Sequence, residues 1–105
     1  MKVVRVHKNR TNTLMVSLGY DVSQDTILSD IRVDPNHESE LIARWMVSWK
    51  NDGRDGELLL TMSEAVTSEI PHVMGYMDLK RVSGGESFPI FEHPILVHFQ
   101  EVVTE

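Results

Sequence analysis

Five histidines, at positions 7, 37, 72, 93 and 98, carry the most obvious metal chemistry in this chain. Their spacing argues against a shared ion. No pair sits at the i, i+4 spacing that puts two ligands on one helical face, and no His-x-His occurs. His93 and His98 stand at odd spacing, so a strand carrying both would present them on opposite faces. There is no cysteine, which excludes a disulfide framework and a thiolate metal site. The paired acids Glu38 and Glu40, and Asp52 and Asp55, offer oxygen ligands for calcium. Their spacing does not match a calcium-binding helix–loop–helix, and they read as solvated loop acids. Serine, histidine and aspartate are all present, but no Gly-x-Ser-x-Gly elbow occurs. Ser83-Gly84-Gly85 is a turn without the Lys-Ser/Thr of a phosphate loop. The expectation is therefore a protein without catalytic, cofactor-binding or metal residues, and not an enzyme.

Trp45 and Trp49 could form a stacking platform for a sugar. They share a strand face with Ala43 and Val47, which places them in a core instead. Tyr76 and Asp78 share a face of one strand, and Arg32 lies on the polar face of another, so a structural Arg32–Asp78 pair is expected. Arg5, Lys8 and Arg10 lie close in sequence and read as a solvated strand and turn. Net charge is -6, from 16 acids and 10 bases. That disfavours nucleic acid, which needs clustered cations. No apolar run approaches the ~20 residues of a membrane span. The start, Met1-Lys2-Val3-Val4-Arg5-Val6, lacks the apolar run of a signal peptide.

The elements that must position these residues follow a period of two. A chain of 105 residues is expected to be one domain, 1–105. Strands are expected over 2–7, 13–18, 26–34, 40–50, 57–62, 75–83 and 87–91, with a last one from Ile95. Turn residues separate them: Asp34-Pro35-Asn36-His37, the Asp-Gly steps at 52–53 and 55–56, and Ser83-Gly84-Gly85-Glu86. Pro89 suits an edge strand or a bulge. Ser63 is a candidate N-cap for one or two helical turns that end before Pro71. Such a pattern points to a sandwich or a barrel. The architecture expected is all-β: an antiparallel two-sheet β-sandwich, Ig-like, with about eight strands and one short helical turn. Trp45, Val47, Leu58, Leu60, Ile31, Val97 and Phe99 should form its core. Met15, Leu28, Met46, Met74 and Leu96 break polar faces and are candidates for exposed apolar surface. Strands 2–7 and 87–91 read as open edges.

The order of these signatures resembles a family of β-sandwich domains in phage virion proteins, associated with tails, baseplates and long tail fibres and related to the N-terminal sandwich of upper-baseplate proteins. The matching pieces are Ile31-Arg32, the glycine-started strand Gly56–Met62, the turn Glu64–Thr67, Tyr76-Met77-Asp78-Leu79 and the closing Val103-Thr104. The resemblance spans roughly Leu14 to Thr104. Two departures matter: His93-Pro94 stands where the family has a glycine, and no fibre stem follows Glu105. The resemblance implies a virion structural protein: a tail-, baseplate- or neck-associated adaptor, or a capsid decoration subunit. Its partners would be other virion proteins and copies of itself, with no nucleic acid and no membrane. It would be located in the virion, assembled in the host cytoplasm. A non-enzymatic module binding a glycan or protein at the particle surface is the alternative.

Overall fold

A computed structural model describes residues 3–36, 38–91 and 93–100. The chain is all-β, with nine strands and one helical turn among the described residues. The strands are β1 (Val3–His7), β2 (Asn12–Ser17), β3 (Thr26–Arg32), β4 (Leu41–Trp49), β5 (Glu57–Met62), β6 (Met74–Met77), β7 (Lys80–Ser83), β8 (Glu86–Pro89) and β9 (Ile95–Gln100). The turn α1 (Glu64–Thr67) follows β5. The strands hydrogen-bond in the order β1-β9-β6-β3-β4-β5-β2, with β7 on β3 and β8 on β7. The result is one mixed sheet nearly closed into a barrel, and β1 and β2 flank its open seam.

Two expectations change here. The sheet is not wholly antiparallel, because β1 runs parallel to β9, with Val4 beside Val97 and Val6 beside Phe99. Alternation reports which face a residue takes, not which way its neighbour runs. The strand expected over 75–83 is divided into β6 and β7, which makes nine strands of eight. Both keep one register on β3: Met77 faces Ile31, and Lys80 faces Leu28. Between them Asp78 and Leu79 leave the ladder. The Ser29 hydroxyl donates to the Asp78 carbonyl (2.7 Å), and the Asp30 amide donates to the Asp78 carboxylate (3.2 Å). These side-chain bonds add to a backbone bond from the Asp78 amide to the Asp30 carbonyl (3.1 Å), which keeps the register through the interruption.

The local signals explain most boundaries. The β4–β5 connection uses both Asp-Gly steps, with Gly53 at φ 83° and Gly56 at φ 75°. A Cβ on Gly56 would run into the Tyr20 backbone, so this position needs glycine for space as well as for φ. Gly84 and Gly85 both take positive φ between β7 and β8, the geometry of a type I′ hairpin turn. Ser63 caps α1: its hydroxyl accepts from the Val66 amide at 3.3 Å. Thr67 is fully buried and ties α1 to the β1–β2 turn. Its hydroxyl donates to the Arg10 carbonyl (2.8 Å) and accepts from the Arg10 amide (3.3 Å).

The inner face carries the core. Ile31, Trp45, Leu58, Leu60, Val97 and Phe99 are buried there as expected, joined by Val6, Val22, Met62, Met77 and Leu79. Val47 is only half-buried, and Trp49 is 41% exposed. The indole of Trp49 lies over Gly53 at the sheet's end, where no opposing layer covers it. Trp45, by contrast, faces Ser29 in mid-sheet and is 3% exposed. The two tryptophans therefore form no exposed pair.

Candidate functional site

The seam between β1 and β2 is pinned at one end. The side chain of Asn12 accepts from the His7 amide (2.9 Å) and donates to the His7 carbonyl (2.8 Å). From that clamp, among the described residues, the two strands part without pairing. The gap is an apolar groove of about 560 Å³ lined by Val4, Leu14, Val16, Met77, Phe91 and Ile95, among others. Tyr20 stands at its mouth. Arg81 reaches over both Tyr20 and Phe88, 5.9 and 5.4 Å from their ring centres, and meets the Asp25 carboxylate at 3.5 Å.

Strand β2 has an edge of unusual chemistry. Its sequence, Asn12-Thr-Leu-Met-Val-Ser17, contains no charged residue and no proline, and its register with β5 has no bulge. The amide of Leu18 donates to the Gly56 carbonyl on the β5 side (2.9 Å). By alternation, Leu14 and Val16 also bond to β5, while the amides and carbonyls of Thr13, Met15 and Ser17 face the seam. Soluble proteins usually guard such edges with lysine, proline or a bulge. The other two edges have guards: β1 carries Arg5, and β8 carries Glu86 and Pro89.

Part of the outer face next to this edge is also uncharged; the charge begins at Glu57, opposite Ser17. Two registered rows cross β4, β5 and β2: Met46–Thr61–Thr13 and Ser48–Leu59–Met15. Met46 is 73% exposed and Met15 55% exposed. Six neutral side chains in two rows stand out in a chain that is 25% charged. Of the residues expected to be bare, Met15, Met46 and Met74 are exposed, while Leu28 and Leu96 are half-buried. The expected edges β1 and β8 are edges, but the β2 edge was not foreseen. An uncharged composition was the available signal.

A second site is a cleft of about 310 Å³ that mixes charged and apolar residues. Arg32, Asp34, Tyr76, Asp78 and Phe91 line it, with Pro35, Pro89 and Pro94 at its walls. It brings together the three residues that sequence had grouped. The expected Arg32–Asp78 ion pair does not form. Arg32 bonds instead to Asp30, two residues earlier on its own strand (3.3 Å), and to the Ser39 carbonyl (2.9 Å). Asp30 shares the polar face of β3 with Arg32 by alternation, yet its side chain is only 3% exposed. Arg44, its cross-strand neighbour, covers it with a 2.6 Å bond from Nε. This bond, together with the carboxylate's charge, raises the Arg44 pKa above the usual guanidinium value. Asp78 is occupied by the Asp30 amide.

The remaining candidates lie apart. Asp55 accepts from the Glu57 amide and from Asn51, bonds that hold its carboxyl below the ordinary aspartate range. Asp52 accepts from the Arg54 amide at 3.0 Å, a turn contact within the same loop. Glu38 and Glu40 are exposed. His37 lies outside the described residues. Among the described residues, no group of three or more His, Asp or Glu is placed to hold a metal ion. Among them, too, no helix is long and apolar enough to cross a membrane.

No family model matches the chain, and no curated protein matches it.

Proposed function

We propose that this chain is a non-catalytic structural subunit of a phage virion that works by assembling with other virion proteins and with copies of itself. The observation that carries the assembly reading is the unguarded β2 edge continuous with two neutral, methionine-bearing rows of the outer face. An edge with free amides and carbonyls recruits another strand. Exposed methionines adapt their shape to a partner. The virion setting rests on the order of motifs from Ile31-Arg32 to the tyrosine–aspartate strand, and it places the protein in the particle, on a tail, baseplate, neck or capsid.

The same reading includes a finer architecture. Strand β4 divides its pairing: residues 41–45 face β3, and 46–49 face β5. A bend there would set β1-β9-β6-β3 against β5-β2 as two layers of an Ig-like sandwich. A distance map from spin labels on Met46 and Met74 would test the layering.

A second reading is favoured by the cleft around Arg32 and Tyr76. Tyr76 and Phe91 beside Arg32, Asp34 and Asp78 suit a small polar ligand with a flat apolar face, such as a sugar ring. Glycan-array binding that is lost in Tyr76→Ala would favour a surface-binding module.

Mass spectrometry of purified particles from a host carrying the gene tests the main reading, with neighbouring genes as a second measure. The expected result is the protein in stoichiometric amount beside capsid or tail genes. Its absence from particles would overturn the virion assignment.

A further inference from the structure

We propose that β2 is a self-association strand: it pairs antiparallel with β2 of a second copy, about a two-fold axis through Met15. This deepens the assembly reading by naming one partner, and it rests on that reading. The argument starts from register. Facing residues of an antiparallel pair share a sheet face. A strand paired with its own copy satisfies that rule only if the axis passes through a residue. Placed at Met15, the axis sets Met15 opposite Met15 of the copy, Thr13 opposite Ser17, and Leu14 opposite Val16.

That register agrees with the hydrogen bonding already described. Thr13, Met15 and Ser17 are the residues whose amides and carbonyls are turned from β5. They are also the ones that must exchange bonds with the copy. Side chains agree as well. Leu14 and Val16 line the apolar groove, so pairing adds the copy's Val16 and Leu14 to the same apolar row. On the outer face, each Ser48–Leu59–Met15 row continues into the copy's row across the axis.

Charge selects a copy over a charged partner. Each chain carries a net -6, so copies repel wherever acids meet. The six residues of β2 carry no charge, and nor do the two rows beside it. A copy can therefore approach along this edge without burying a charge or opposing a like one. Against β8 the copy would meet Glu86. Against β1 it would set Arg5 beside Arg5. The contact is one strand wide, below the roughly 1,200 Å² of a standard interface, so association should be weak and concentration-dependent.

The test is sedimentation of the full chain up to about 1 mM, where weak pairs populate. Wild type is expected to show a monomer–dimer equilibrium. Met15→Pro removes an amide that faces the seam, not β5, so the fold should survive as proline does at edges. Two backbone bonds, both Met15 amides, are lost from the dimer, and dimerisation should weaken about tenfold or more. Met15→Lys keeps the amide but sets two cations face to face; it should also dissociate the dimer, and it serves if the proline variant does not fold. Arg5→Lys, on the β1 edge, should dimerise as wild type does. A wild type that stays monomeric throughout overturns the proposal, as does a dimer that both Met15 variants leave unchanged. Either result leaves the virion assignment to particle composition, which is read separately.

Discussion

Asp30 shows how one residue's surroundings can reverse its ordinary behaviour. It sits on the outward side of β3, yet Arg32 and Arg44 enclose it. Removing a carboxylate from such a site leaves the half-buried Arg32 guanidinium without its ion partner. Asp30→Ala should cost roughly 3 kcal/mol in chemical denaturation. Arg32→Met should be milder, since Arg44 still pairs with Asp30. Trp45→Ala removes a buried indole and should cost about 3–5 kcal/mol, read in the same way. Trp49→Ala at the open sheet end should cost much less.

Acid sensitivity also belongs to single residues. The Ser23 hydroxyl and amide hold Asp21 below its ordinary pKa of 3.8, with help from the Arg54 charge. The Glu57 amide, followed by Asn51, does the same for Asp55. A carboxyl whose folded pKa is depressed contributes stability above the unfolded value. That contribution falls as pH drops from the unfolded value through the folded one. Carbon-detected NMR titration should therefore show both aspartates ionising below 3.8, with stability falling as pH descends through that window. Asp21→Asn and Asp55→Asn should each flatten the acid limb slightly, because both groups are exposed.

At the scale of elements, α1 matters more than its single turn suggests. A helix this short has little stability of its own. It is held by Thr67, whose hydroxyl bonds to Arg10 across the molecule. Thr67→Val keeps the shape and removes the hydroxyl, leaving the part-buried Arg10 amide without that acceptor, while the Arg10 carbonyl keeps its bond from the Asn12 side chain. A loss of about 1–3 kcal/mol is expected, with faster hydrogen exchange at the Arg10 amide. The helical turn was readable from Ser63 and the acid after it. The tether was not, because nothing in the sequence near residue 67 names a partner near residue 10.

At the scale of the whole molecule, the first and last described strands pair, so the complete sheet joins segments far apart in the chain. Val6 is fully buried beside Phe99. Val6→Asp places an unpaired carboxylate in the core and should abolish cooperative unfolding, followed by near-ultraviolet circular dichroism. Pairing between distant segments also favours slow folding.

The sequence by itself determined the class of structure and the outlines of its parts. Alternation along 41–49 fixed which side of β4 turns inward, because side chains in a strand point to opposite faces in turn. The Asp-Gly steps and the glycine pair fixed two connections, because few other residues adopt positive φ cheaply. Glu57–Met62 was readable to both ends. Tertiary structure decided the rest. Alternation carries no strand direction, so the parallel β1–β9 pair was hidden. It carries no depth either, so Trp45 and Trp49 looked alike until the sheet's end left one uncovered. Arg32 could have met Asp78 or Asp30; in the fold the Asp78 carboxylate accepts from the Asp30 amide, and Arg32 bonds to Asp30. The seam is the clearest case. The lack of charge in β2 is written in the sequence, but only the order of strands left that edge unpaired among the described residues.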